Sequence, residues 1–280
     1  MKNKELFYSI SILLLFFSYS YAIDYNDGSH HIINGTSEMI QVDWETPEIQ
    51  TSVEIQDDAS VSWIIGYEDS IIDINGGTTG SVDAFDRCQL NISGGHFFQL
   101  FNHDNSFLTI TNGQLDTLYQ ALGYCTVDIS GGVLTEGAFI QFYSTGVISG
   151  GQLGNLTVAD YSQMTIKGGI FGEIYSGSYR RAIDYETGEY TIHSASITFE
   201  GADFAINGNP VNYGDSARNY LTPINNWMSS GTLTGTLASG ESIHSTIYII
   251  EDSDIVFVPE PATLSLLVLG AMLAGRKRRT

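Results

Sequence analysis

Apolar and polar residues alternate with a period of two along short stretches of this chain, and the stretches themselves recur. Six of them align on their glycines: Ile72-Asp-Ile-Asn-Gly-Gly77, Leu90-Asn-Ile-Ser-Gly-Gly95, Leu108-Thr-Ile-Thr-Asn-Gly113, Val127-Asp-Ile-Ser-Gly-Gly132, Gly146-Val-Ile-Ser-Gly-Gly151 and Met164-Thr-Ile-Lys-Gly-Gly169. Their last glycines are 18, 18, 19, 19 and 18 residues apart. Isoleucine stands three positions before that glycine in every unit, as Ile74, Ile92, Ile110, Ile129, Ile148 and Ile166. Two positions further back the column is apolar except at Gly146, and the residue between is mostly polar, which is the pattern of a strand with one face inward. After the glycines, Phe97, Leu115, Leu134, Leu153 and Phe171 form a second inward column, and Val82, Leu100, Leu118, Leu156 and Ile174 a third. The glycine pair marks a corner where a positive φ meets no Cβ clash.

A fixed period in this range marks a solenoid, whose units bury their apolar faces only by stacking. Identical columns predict parallel, in-register coils about 4.8 Å apart. Inward residues do not recur every six positions, as a left-handed hexapeptide helix requires, and parallel crossovers prefer the right hand. The predicted fold class is therefore all-β: a single-stranded, right-handed parallel β-helix of 18–19 residues per coil, framed by an N-terminal signal helix and a C-terminal apolar helix.

The pattern also sets expected boundaries. Val53-Glu-Ile-Gln-Asp-Asp58 aligns as a weaker unit, so the coils are expected over residues 51–176. Residues 23–50, with Trp44 and Pro47, break the period and are expected to cap the first coil, whose open edge would otherwise template aggregation. Residues 177–188 read as a loop or hairpin, and strand-like runs resume at 190–199, 232–237 and 243–250. The stretch 177–257 is expected to be a C-terminal β cap or small subdomain.

At the N-terminus Lys2 and Lys4 precede an apolar run over residues 6–17 and the stretch Ser20-Tyr21-Ala22. Residues 1–22 thus read as a secretory signal peptide cut after Ala22. At the other end Pro259, Glu260 and Pro261 precede a mostly apolar run over 264–274 and the basic cluster Arg276, Lys277, Arg278 and Arg279. That run is shorter than the ~20 residues that span a bilayer comfortably, while the basic cluster would hold the tail on the cytoplasmic side.

The three ordered features over residues 258–280 resemble the PEP-CTERM protein-sorting domain. The resemblance implies that Pro259, Glu260 and Pro261 are a recognition element for an exosortase, a membrane-embedded cysteine-type transpeptidase that cuts nearby. It further implies transient membrane insertion through the C-terminal helix and a Gram-negative-type host that makes exopolysaccharide. Residues 231–240 look like a closing segment found in some other PEP-CTERM proteins. An ordinary tail anchor is the alternative reading.

Charge narrows the partners. Between the two ends, residues 23–258 carry five basic residues (Arg87, Lys167, Arg180, Arg181, Arg218) against 30 acidic ones, a net charge of −25. Such a body repels nucleic acid and anionic lipid. Cys88 and Cys125 occupy one register column with Ser106 between them, so two coils, roughly 9.6 Å, separate them. That exceeds the ~7 Å reach of a disulfide, and free thiols are predicted.

No catalytic site is legible. The outward acids Asp73 and Asp128 share a column but lie three coils apart, roughly 14 Å by coil spacing, too far for a hydrolase pair. Glu68, Asp69 and Asp73, or Asp83 and Asp86, could chelate Ca²⁺, although no calcium-loop spacing is present. His30, His31, His96, His103, His193 and His244 show no zinc spacing and read as polar surface residues. Phe101, Tyr119 and Tyr175 share a position six residues after the last glycine and could form a glycan-facing aromatic stripe, or pack under the C-terminal segment. The expected function is a non-enzymatic, exported protein of the cell surface or exopolysaccharide matrix. The alternatives are a carbohydrate-binding adhesin, or a polysaccharide lyase or hydrolase on the same scaffold.

Overall fold

A computed structural model describes residues 22–44, 50–177, 182–183, 190–191, 194–250 and 252–260. The predicted signal helix and apolar tail helix lie outside the described residues. Within them the chain is an all-β parallel solenoid of about eight turns with almost no helix. Each central coil contributes a short strand, a glycine corner and a longer strand, as in Ile71–Ile74 with Thr78–Ala84 and Gln89–Ile92 with His96–Asp104. The short strands stack in parallel, pairing Ile74 with Ile92, Ile110 with Ile129, and Ile148 with Ile166. All six isoleucines of that column are buried. Close packing of identical aliphatic columns from coil to coil supplies the core.

Both corner glycines are needed, for different reasons. The second adopts positive φ in every unit, for example 89° at Gly95 and 83° at Gly132. The first lies against the coil beneath: a Cβ on Gly131 would stand 2.0 Å from the carbonyl oxygen of Thr111.

The second inward column follows the sequence, pairing Phe97, Leu115, Leu134, Leu153 and Phe171 in order. The third does not. Leu100 pairs with Tyr119 rather than Leu118, and Tyr119 with Ala138. The 19-residue coils hold their additional residue here: the strands Gln114–Leu115 and Leu118–Gly123 are separate, and the register shifts between Leu134 and Gly137. An extra residue in a strand inverts its sidedness. Tyr119, expected on the outer face, is therefore fully buried, and Leu118 turns outward in its place.

A further corner links each long strand to the next short one. Its last position carries a small buried residue: Ser70, Cys88, Ser106, Cys125, Ser144 and Ser162. At Ser70, Cys88, Ser106 and Ser162 the N–H closes a turn onto the carbonyl three residues back, at 3.0 Å for Cys88 to Phe85 and 3.1 Å for Ser106 to His103. Glu68, Asp86 and Asp104 take the left-handed position of this turn, φ 51–55°, a conformation that Asp tolerates better than most residues. Aromatic rings stack along the same edge, from Tyr67 to Phe85 to His103 and from Tyr124 to Tyr143 to Tyr161.

The ladder reaches further at both ends than the expected boundaries. Residues read as an N-terminal cap form coil instead: Ala22–Tyr25 stacks on Thr36–Val42, which stacks on Ser60–Gly66, and His30–Ile33 stacks on Ser52–Ile55. The long link at 43–51 throws these strands out of the period. Beyond residue 177, Ser196–Ile206 and Asp254–Pro259 extend the short-strand ladder, pairing Ile166 with Phe199 and Phe199 with Phe257. Ser242–Ile250 extends the long-strand ladder, pairing Ile174 with Ile247. The stretch expected as a separate cap is thus mostly solenoid, interrupted by an excursion over residues 207–241. Within that excursion Met228–Leu237 runs antiparallel to Ser242–Ile250 and closes its edge. A loop covers the last short strand, with the Gly214 N–H donating to the Phe257 carbonyl at 2.9 Å and the Arg218 guanidinium to the Ser253 carbonyl at 2.9 Å. Beside the stretch read as a loop or hairpin, Ala182–Ile183 pairs antiparallel with Tyr190–Thr191.

Candidate functional site

The outer face of the long strands carries one register column running Asp83, Phe101, Gln120, Phe139, Thr157, Tyr175, Tyr248. Of the three aromatics expected there, Phe101 and Tyr175 are in place and Tyr119 is not, because the extra residue turned it inward. Phe139 and Tyr248 take part instead. Phe139 stands seven rather than six residues after its glycine, owing to the same irregularity, and Tyr248 reaches the column only after the excursion, so neither was visible by spacing.

Tyr175 and Tyr248 stack with ring centroids 4.5 Å apart and planes within 6°. Both hydroxyls donate to the Glu173 carboxylate, at 2.5 Å from Tyr175 and 3.2 Å from Tyr248. Burial, followed by the adjacent Glu173 charge, pushes the Tyr248 phenol above its ordinary value. A recess of about 570 Å³ runs along this face from Leu118, one coil before Phe139, to the level of Tyr175, lined also by Glu136, Phe139, Asn155 and Thr157 among others. Asn155 is held in turn, its side-chain oxygen accepting the Glu173 N–H at 3.2 Å.

The acids considered for calcium are engaged separately. Arg87 grips Asp69 with two hydrogen bonds, 2.6 and 2.8 Å, and lies 3.7 Å from Glu68. Hydrogen bonding from Arg87 holds the Asp69 carboxyl below its ordinary value. Asp73 accepts from the Asn91 amide at 2.8 Å and lies in the same column as Asp128, with Asn91 and Thr109 between. Asp83 accepts the Trp63 indole N–H and the Ser81 hydroxyl, while Asp86 sits at the left-handed corner. Among the described residues no three His, Cys, Asp or Glu side chains lie close enough together to hold a metal ion.

The histidines lie beside single acids: His30 with Glu54 at 3.4 Å, His31 with Asp27 at 2.8 Å, His96 with Asp116 at 2.8 Å and His103 with Asp83 at 3.8 Å. His244 is exposed, and His193 lies outside the described residues. Cys88 and Cys125 are free and buried, with Ser106 interposed and donating to the Cys125 sulfur at 3.8 Å. Burial pushes the Cys88 thiol up to about 12.

The C-terminal segment leaves the solenoid directly from a strand. Phe257 is fully buried, with its ring 5.7 Å from Phe199 and 4.9 Å from Phe204. Pro259 is still in register with Gly201, and Glu260 follows at the half-buried end of the strand. Residues 257–279 match the family model described as the PEP-CTERM protein-sorting motif. The chain carries a PEP-CTERM sorting motif. No curated protein and no solved structure gives a significant match.

The PEP-CTERM motif implies an exported, envelope-targeted protein processed by an exosortase-type enzyme. Its first residues are load carried by the folded body, whereas Pro261 and the basic cluster Arg276, Lys277, Arg278 and Arg279 lie outside the described residues. Among the described residues no helix is long and apolar enough to cross a membrane.

Proposed function

We propose that this chain is a non-enzymatic protein of the cell surface or exopolysaccharide matrix of a Gram-negative-type bacterium. Residues 1–22 direct its export, the apolar tail holds it transiently in the membrane, and an exosortase-type enzyme cuts near Pro259, Glu260 and Pro261. The PEP-CTERM match carries this reading. The non-enzymatic part is supported by the dispersal of the acids: Asp69 is occupied by Arg87, Asp73 by Asn91 and Glu173 by two tyrosines, whereas glycan hydrolysis needs two carboxyl groups flanking one bond. A rigid stack of coils with a body charge of −25 suits a spacer that stays soluble within a hydrated layer.

Intact-mass analysis of protein recovered from its native host tests the route. The expected mass runs from Ile23 to the neighbourhood of Pro259. A mass that retains Arg276 to Thr280 would identify a plain tail anchor and remove the sorting reading.

A further inference from the structure

We propose that the recess over Thr157 is a binding slot for a single neutral pyranose ring of a glycan. The proposal rests on the surface-protein reading for its class of ligand, but not for its geometry.

The outer column places an aromatic ring at the levels of Phe139, Tyr175 and Tyr248, with Thr157 at the one level between Phe139 and Tyr175. Where two neighbouring levels are both aromatic, their rings stack at 4.5 Å. At Thr157 the short side chain leaves a level empty of a ring, and the recess of about 570 Å³ passes through that level. Coils repeat at about 4.8 Å. A pyranose chair seated over Thr157 would therefore lie about 4.8 Å from the aromatic levels on either side, with its apolar faces toward them.

The wall on the Tyr175 side is fixed before any ligand arrives. Tyr175 is stacked on Tyr248 and hydrogen-bonded to Glu173, and Asn155 is bonded to the same residue's N–H. Pre-organisation of this kind lowers the ordering cost of binding.

The chemistry of the lining selects the occupant. Apolar surface from Leu118, Phe139 and Tyr175 is accompanied by the hydroxyls of Thr135 and Thr157, the Asn155 amide and the Glu136 carboxylate. Few polar groups around an apolar floor fit a ring that has apolar faces and a hydroxyl rim. An aromatic side chain from a protein partner would leave those polar groups unused. A uronate or sulfated sugar would meet Glu136, the nearby Glu173 and a body of charge −25, which disfavours it.

The test titrates the purified mature protein with the methyl glycosides of glucose, galactose, mannose and N-acetylglucosamine, and with a galacturonate trisaccharide, by saturation-transfer NMR and calorimetry. At least one neutral glycoside should saturate and the galacturonate should not. Thr157→Phe supplies the missing ring and should abolish binding while preserving the cooperative melting transition. Phe139→Ala should weaken binding about tenfold, and Phe98→Ala, at an exposed ring outside the recess, should leave it unchanged. The proposal is overturned if no neutral glycoside saturates, if galacturonate binds as well as they do, or if Phe139→Ala or a folded Thr157→Phe binds as tightly as the unmodified protein. None of these outcomes bears on where the tail is cut, so the two readings fail separately.

Discussion

The Tyr119 hydroxyl is enclosed in the solenoid core with no hydrogen-bond partner among the described residues, and burial drives its phenol well above the ordinary value. A buried polar group without a partner costs about 1–3 kcal/mol. Tyr119→Phe should raise stability by about 1 kcal/mol, read as a higher urea midpoint at unchanged slope. Two glycines make a sharper pair. Gly131→Ala would drive a Cβ into a backbone carbonyl and should cost more than ~3 kcal/mol. Gly208 has φ 77° but open space around its missing Cβ, so Gly208→Ala should cost only the ~1–2 kcal/mol of a left-handed alanine. The Cys88 thiol, raised to about 12 by burial, should resist alkylation at pH 8 in the folded protein and react fully in denaturant.

At the level of the coil, register decides what touches what. The pair Asp69–Arg87 joins successive coils across the turn that precedes Ser70 and Cys88. The folded Asp69 value lies below the ordinary 3.8, so the pair contributes stability above the unfolded value and loses it as pH falls through the lowered one. Arg87→Gln should therefore be less stable than the unmodified chain at pH 7, with the difference closing as the pH falls below the ordinary Asp value in parallel urea titrations. Exposure of both side chains keeps the effect small. The isoleucine and second columns were legible in the sequence because every unit keeps the same offset from its glycine. The third column was legible except at Leu118, since one inserted residue in each of the two 19-residue coils moved Tyr119 inward and carried Phe139 into the outer column. Of the candidate aromatic face, Phe101 and Tyr175 were thus readable. The recess was not, because its defining feature is a threonine in an aromatic column, which no linear pattern marks. The coil strands His30–Ile33 and Thr36–Val42 escaped for a related reason, as the long link after Val42 displaces them from the repeat.

Across the whole molecule the two ends differ. The last coil is covered by Met228–Leu237 and by the loop carrying Gly214 and Arg218. At the other end Ala22–Tyr25 and His30–Ile33 are each paired on one side only among the described residues. Replacing residues 207–241 by a short turn should leave the coils folded but expose the edge of Ser242–Ile250, and sedimentation should then show self-association that the intact chain lacks. The sorting motif begins inside this covered end, at Phe257 in the core. Only five residues, 259–263, separate Val258 from the apolar run, a leash of at most about 18 Å. On the proposed route the uncut protein therefore stands on the membrane like a post on its base, covered end down. On that route the end bearing Ala22–Tyr25 points away from the bilayer, and the flank bearing Phe139 and Tyr175 lies open to the surrounding layer.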